Sequence, residues 1–180
     1  MSSSIFPRQY LQLAWQVLDF CQKNNYKITV AESCTGGLLS ALLTEIAGSS
    51  AVFEMGFVSY ANNFKQQILQ VNSQILAQEG AVSFAVAKEM AENSLKITKA
   101  NFSIAISGIA GEDAIFKLHN TSPSTSSFKP NGLVYIAVAS TLANTTLKEF
   151  YFVGNRNEIR LLAIKNALEM ILCQFSFLNT

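Results

Sequence analysis

Lys27-Ile28-Thr29-Val30-Ala31-Glu32-Ser33-Cys34-Thr35-Gly36-Gly37 is the stretch on which the fold class turns. Its first part, Lys27 to Ala31, is β-like, and the run Leu38 to Ile46 that follows is helix-like, so a small polar cluster sits where a strand becomes a helix. Such a junction presents backbone N–H groups and the positive end of a helix dipole to whatever lies in front of Ser33. The glycines let a ligand approach the main chain, and the hydroxyl and thiol groups at positions 33, 34 and 35 offer a nucleophile with orienting donors. In most proteins a Ser or Thr at this place is only a helix cap, and what directs it toward chemistry is the rest of the chain.

The runs Phe53 to Tyr60, Asn101 to Ser107, Leu133 to Ser140 and Thr145 to Val153 read as further strands, which makes five. Pro7 opens an amphipathic first helix carrying Leu11, Ala14, Leu18 and Cys21, ended by Asn24-Asn25. A weaker helical region spans Asn62 to Gln78, another helix follows the cap Ser83, and a long final helix runs from about Asn155 to Phe177. Alternating strands and helices predict a layered α/β fold with a mixed, mainly parallel sheet. The last two strands are joined by only Thr141 to Asn144, too short for a parallel crossover, and should form an antiparallel hairpin.

With 180 residues, 49% of them hydrophobic, the chain fits one domain with a substantial core. Thirteen Lys and Arg against twelve Asp and Glu leave a formal charge of +1 without runs of either sign, which argues against a nucleic-acid groove. No apolar run approaches the ~20 residues needed to cross a bilayer, and Met1 to Tyr10 lacks the pattern of a signal peptide, so a cytoplasmic protein is expected. Cys21 and Cys173 fall in helical patterns and are expected as buried free thiols. The segment from 112 to 131, which includes Asn120-Thr121-Ser122-Pro123-Ser124-Thr125-Ser126-Ser127, reads as a long, mobile loop.

Three more clusters hold polar groups at strand ends. Tyr60 and Lys65, in Tyr60-Ala61-Asn62-Asn63-Phe64-Lys65, can point into one cleft, where a lysine made neutral by burial could take a proton from a serine. Ser107-Gly108-Ile109-Ala110-Gly111 ends another strand and would share the carboxyl edge of the sheet with Ser33 and Tyr60. Arg156 and Arg160, at the start of the last helix, could clamp a phosphate on its N-terminus. The lone histidine, His119, lies in the long loop and leaves a Ser-His-Asp triad without a placed base, and neither a P-loop nor metal-ligand spacing occurs.

Ala31-Glu32-Ser33-Cys34-Thr35-Gly36-Gly37, Ala47-Gly48-Ser49-Ser50, Tyr60 to Lys65, Gly80-Ala81-Val82-Ser83 and Ser107 to Gly111 together, in this order and spacing, resemble the CinA C-terminal-domain family of stand-alone nicotinamide-nucleotide amidases. The resemblance implies a three-layer α/β/α sandwich and hydrolysis of the carboxamide of nicotinamide mononucleotide to nicotinate mononucleotide and ammonia, without metal or cofactor. It implies Ser33 as nucleophile, Lys65 as general base and Tyr60 beside them. Backbone N–H groups from Cys34, Thr35, Gly36 and Gly37 would hold the oxyanion. Ser49, Ser107 and Gly108 join Thr35 as candidate substrate contacts, with Arg156 or Arg160 for the phosphate, and family context implies a homo-oligomer, most simply a dimer. One departure stands out: the family follows its Gly-Ile-Ala-Gly motif with a proline and a glycine-rich turn, where this chain has Glu112-Asp113-Ala114-Ile115-Phe116. That leaves open a nucleotide-binding or regulatory module without turnover, or an amidase for another substrate.

Overall fold

A computed structural model of the chain describes residues 4–111 and 129–178. The expectation of a mobile loop at 112–131 therefore falls outside the described residues, except for Lys129, Pro130 and Asn131. The elements run α1 (Arg8–Lys23), β1 (Ile28–Glu32), α2 (Leu38–Thr44), a short 3-10 turn (Ser49–Ala51), β2 (Phe53–Val58), α3 (Asn62–Gln67), α4 (Ser73–Glu79), α5 (Phe84–Thr98), β3 (Phe102–Gly108), β4 (Leu133–Ser140), β5 (Thr146–Tyr151) and α6 (Arg156–Leu178).

The five strands lie in the order β2-β1-β3-β4-β5. β1 pairs in parallel with both β2 and β3, while β4 runs antiparallel to β3 and to β5. Four strands thus share a direction and β4 alone opposes them, with the expected short hairpin formed across 141–145. Helices cover both faces. Ala14, Val17, Leu39, Leu42, Ile164 and Leu168, from α1, α2 and α6, pack on Ile28, Val30, Ile104 and Ile106 of one face. On the other face, Val86, Ala87, Met90 and Ala91 of α5 pack on Ala31, Phe57, Ala105 and Ala137. This division follows from the pleat: successive residues of a strand address opposite layers, so Ala31 and Glu32 part company.

Three expectations change at this level. The helical region at 62–78 is two short helices, because Gln70 adopts a left-handed backbone with φ 54° and Asn72 starts α4 afresh by accepting hydrogen bonds from the amides of Gln74 and Ile75. Cys173 is exposed, whereas Cys21 is buried and its thiol is pushed up to about 12 by that burial. Finally, α6 is by length and composition long and apolar enough to cross a membrane. Its Ile159, Ala163, Ile164, Ala167 and Ile171 are buried within the fold, which is the use a central core helix makes of such a surface.

Candidate active site

The carboxyl ends of β1 and β2 bring Ser33 and Lys65 together. Lys65 Nζ lies 3.1 Å from Ser33 Oγ, 2.6 Å from the carbonyl oxygen of Ser59 and 3.3 Å from that of Tyr60. Helix α3 explains how a lysine comes to be there. Lys65 is its one buried residue, at 1% exposure, while the neighbouring Phe64 stays 49% exposed, an inversion of the usual amphipathic arrangement. Burial, partly opposed by the neighbouring Cys34, lowers the Lys65 pKa from 10.5 to about 8. Two carbonyl acceptors use two N–H donors of the amine, so a neutral Lys65 turns its lone pair to the Ser33 hydroxyl.

The turn that carries Ser33 is tight. Gly36 and Gly37 take φ values of 59° and 88°, and the Gly36 amide donates to the Ser33 carbonyl at 3.1 Å. Their glycine character therefore serves the turn itself. The amides of Cys34, Thr35 and Gly37 donate to no backbone acceptor among the described residues. Cys34 is buried, and burial pushes its thiol up to about 11, which makes it a poor nucleophile beside Ser33. The Thr35 hydroxyl is buried without a partner among the described residues.

The expectation that the α2 N-terminus faces the substrate is corrected by Glu32. Its buried carboxylate accepts from the amides of Leu39 at 3.0 Å and Ser40 at 2.8 Å, and from the Ser40 hydroxyl at 2.7 Å. The first-turn donors of α2 are thus taken by a side chain from the end of β1, on the layer opposite Ser33. Glu32→Gln turns an amide N–H toward these donors and is expected to destabilise the protein by about 1–3 kcal/mol, read as a lower denaturant midpoint with unchanged slope.

The other candidates fall into place unevenly. Tyr60 is 60% exposed, and its phenolic oxygen accepts from Arg156 Nη2 at 3.0 Å; it meets Lys65 only through its main-chain carbonyl. Arg156 also donates from Nη1 to the Ala110 carbonyl at 2.5 Å, so it spans the loops after β2 and β3. Arg160 is committed elsewhere: Nε and Nη2 donate to the Thr35 carbonyl at 3.1 and 2.6 Å, fixing the serine turn. The α6 N-terminus is closed by Asn155, whose side chain accepts from the amides of Asn157 and Glu158 while its own amide donates to Glu158. A phosphate there would meet the Arg156 guanidinium rather than free helix amides.

Ser107 occupies the edge beside Ser33, but its hydroxyl donates to the Ala81 carbonyl at 2.6 Å and holds the loop before α5. Gly108 is required by packing, since a Cβ there would come within 2.7 Å of the Leu133 carbonyl oxygen. Ser49 does not reach the site within one chain. It precedes the amino end of β2, beside Ile28, whereas Ser33 lies past the carboxyl end of β1. Ser59 and the capping role of Glu32 escaped sequence reading; a carboxylate closing a strand immediately before the serine was the available signal for the second.

This geometry defines an α/β/α domain with a buried lysine beside a strand-end serine. The CinA C-terminal domain family model matches residues 11–175, and the chain belongs to that family. It is 40% identical over 167 residues to the nicotinamide-nucleotide amidohydrolase PncC of Escherichia coli K12, covering 93% of this chain and 95% of that protein. It is 44% identical over 145 residues to a CinA-like protein of Syntrophomonas wolfei, covering 81% of this chain but only 32% of the relative. A longer relative from Acetivibrio thermocellus is likewise spanned over only 33% of its length. Among solved structures, a competence/damage inducible protein, CihA, from Agrobacterium tumefaciens superposes with a TM-score of 0.84 at 39% identity, covering 95% of this chain and 98% of that one. A CinA superfamily protein from Escherichia coli gives 0.82 at 26% identity over 96% of this chain and 94% of its own.

Proposed function

We propose that the protein is a nicotinamide-nucleotide amidohydrolase that converts nicotinamide mononucleotide to nicotinate mononucleotide and ammonia. The observation that carries this reading is the contact of Ser33 Oγ with a buried, deprotonation-prone Lys65 in a chain related along 93% of its length to an amidohydrolase of that name. Ser33 Oγ attacks the carboxamide carbon while Lys65 takes its proton, and the negative oxygen settles among the amides of Cys34, Thr35 and Gly37. The C–N bond then breaks as Lys65 returns the proton to the departing nitrogen, leaving an ester on Ser33. Water, deprotonated by Lys65, attacks this ester and frees nicotinate mononucleotide and the serine. Incubation of the protein with the nucleotide should release ammonia stoichiometrically with the acid product; no release overturns the reading.

Arg156 is the group suited to the substrate phosphate, since Arg160 is held by Thr35. Arg156→Ala is expected to raise KM for the nucleotide about 10–100-fold, with little change in kcat. It should leave the rate on nicotinamide riboside, which lacks the phosphate, unchanged. One domain in the cytoplasm, working in pyridine nucleotide salvage, is the setting this chemistry suits. The exposed Met55 and Val58 on the edge strand β2, with Phe64 and Ile68 beside them, favour a homo-oligomer, most simply a dimer.

A further inference from the structure

Three buried side-chain polar atoms lack a hydrogen-bond partner among the described residues: Thr35 Oγ1, Ser59 Oγ and Gln174 Oε1. Of these, Ser59 stands on the strand rung that carries the pair. Its amide donates to the Glu32 carbonyl at 3.0 Å, one residue beyond the last β1–β2 pair, Glu32 with Val58. Its carbonyl accepts from Lys65 at 2.6 Å. Strand alternation carried past the pairs Ala31 with Phe57 and Glu32 with Val58 puts Ser33 and Ser59 side by side, on the α5 side of the sheet. Both ends of Ser59 are thus fixed, and its hydroxyl, in a residue 3% exposed, has no partner to balance its loss of water.

We propose that Ser59 Oγ is a further substrate-binding group of the reaction, accepting a hydrogen bond from the carboxamide nitrogen. This rests on the amidohydrolase reading above. The leaving nitrogen must face Lys65 to receive its proton, and Lys65 reaches from Ser33 Oγ to the Ser59 carbonyl. A carboxamide NH2 has two N–H donors, and a hydroxyl on the residue whose carbonyl holds the base would keep its lone pair toward Lys65 as the C–N bond opens. The same contact favours an amide over an ester, because an alkoxy group brings no N–H to this acceptor.

The test compares nicotinamide mononucleotide with the methyl ester of nicotinate mononucleotide. Ser59→Ala is expected to lower kcat/KM for the amide by about 10–100-fold while leaving the ester within about twofold of wild type. Ser59→Cys, which keeps the volume but accepts weakly, should show the same amide-selective loss, and Ser59→Thr, which keeps a hydroxyl, should recover amide hydrolysis. Equal losses on amide and ester, or none on either, overturn the assignment alone. A wild-type protein that hydrolyses neither compound overturns the amidohydrolase reading and this assignment with it.

Discussion

Ser33→Ala is expected to abolish ammonia release from nicotinamide mononucleotide, a loss on the order of 10⁶ in kcat if removal of this nucleophile matches that in other serine hydrolases. The substitution takes away the atom 3.1 Å from Lys65 Nζ and little else. The turn is set by the left-handed Gly36 and Gly37 and by Arg160 on the Thr35 carbonyl, neither of which involves the Ser33 side chain. Nucleotide affinity should therefore survive, and calorimetric titration of the variant should give a dissociation constant within about threefold of the wild-type value. Turnover by the variant at the wild-type rate would remove Ser33 from the chemistry.

Lys65→Met is expected to cost about 10⁴-fold or more in kcat, because a base that acts in concert with its nucleophile is worth nearly as much as the nucleophile itself. Two pH dependences separate this role from a packing role. Activity of the wild-type protein should rise with pH through about 8, as the buried ammonium gives up its proton and the neutral amine becomes available to Ser33. The contribution of Lys65 to stability should move in the same direction. The folded pKa of about 8 lies below the ordinary 10.5, so the unfolded chain holds the extra proton between those values and folding is favoured progressively as pH climbs across that window. Below about 8 the destabilising contribution of the buried charge is present in full. Above about 9 the buried Cys21 and Cys34 thiols, raised by burial, oppose this trend, so Lys65 is read from the difference between variants: the urea midpoint of the wild type minus that of Lys65→Met should grow as pH climbs from 8 to 10.5, and a difference that does not change with pH would show that Lys65 is not the group responsible.

Much of this was legible in the sequence because local signals and global architecture agree. Val30 to Gly37 reads as strand into turn into helix, and folds so; Leu133 to Ser140, with so short a connection after it, could only return as a hairpin, and does, across residues 141–145. Lys65 was legible by its offset from a strand-end tyrosine, although its burial was not, since α3 gives no amphipathic pattern that would turn a lysine inward. What stayed hidden depends on contacts distant in sequence. Arg160 and Thr35 are 125 residues apart, so no spacing rule distinguishes a phosphate-binding arginine from one that braces a loop. Glu32 caps a helix that begins six positions later, outside the offsets at which capping residues are sought. Ser49 stood out through the motif Ala47-Gly48-Ser49-Ser50, while the chain passes through α2 to the amino end of β2, the end of the sheet away from Ser33.

The arc from Ser59 to Lys65 has a bearing on how the molecule can change over time. The amine and both carbonyls that orient it belong to this one arc, hung from the outermost strand. Mutational drift at the exposed Met55 of β2 alters what the edge can adhere to without touching the amine. An insertion or deletion of a single residue between 59 and 65 would instead rotate Lys65 off Ser33 and silence the enzyme at a stroke. Descendants of this chain are thus free to trade neighbours, yet bound to keep the length of one short loop.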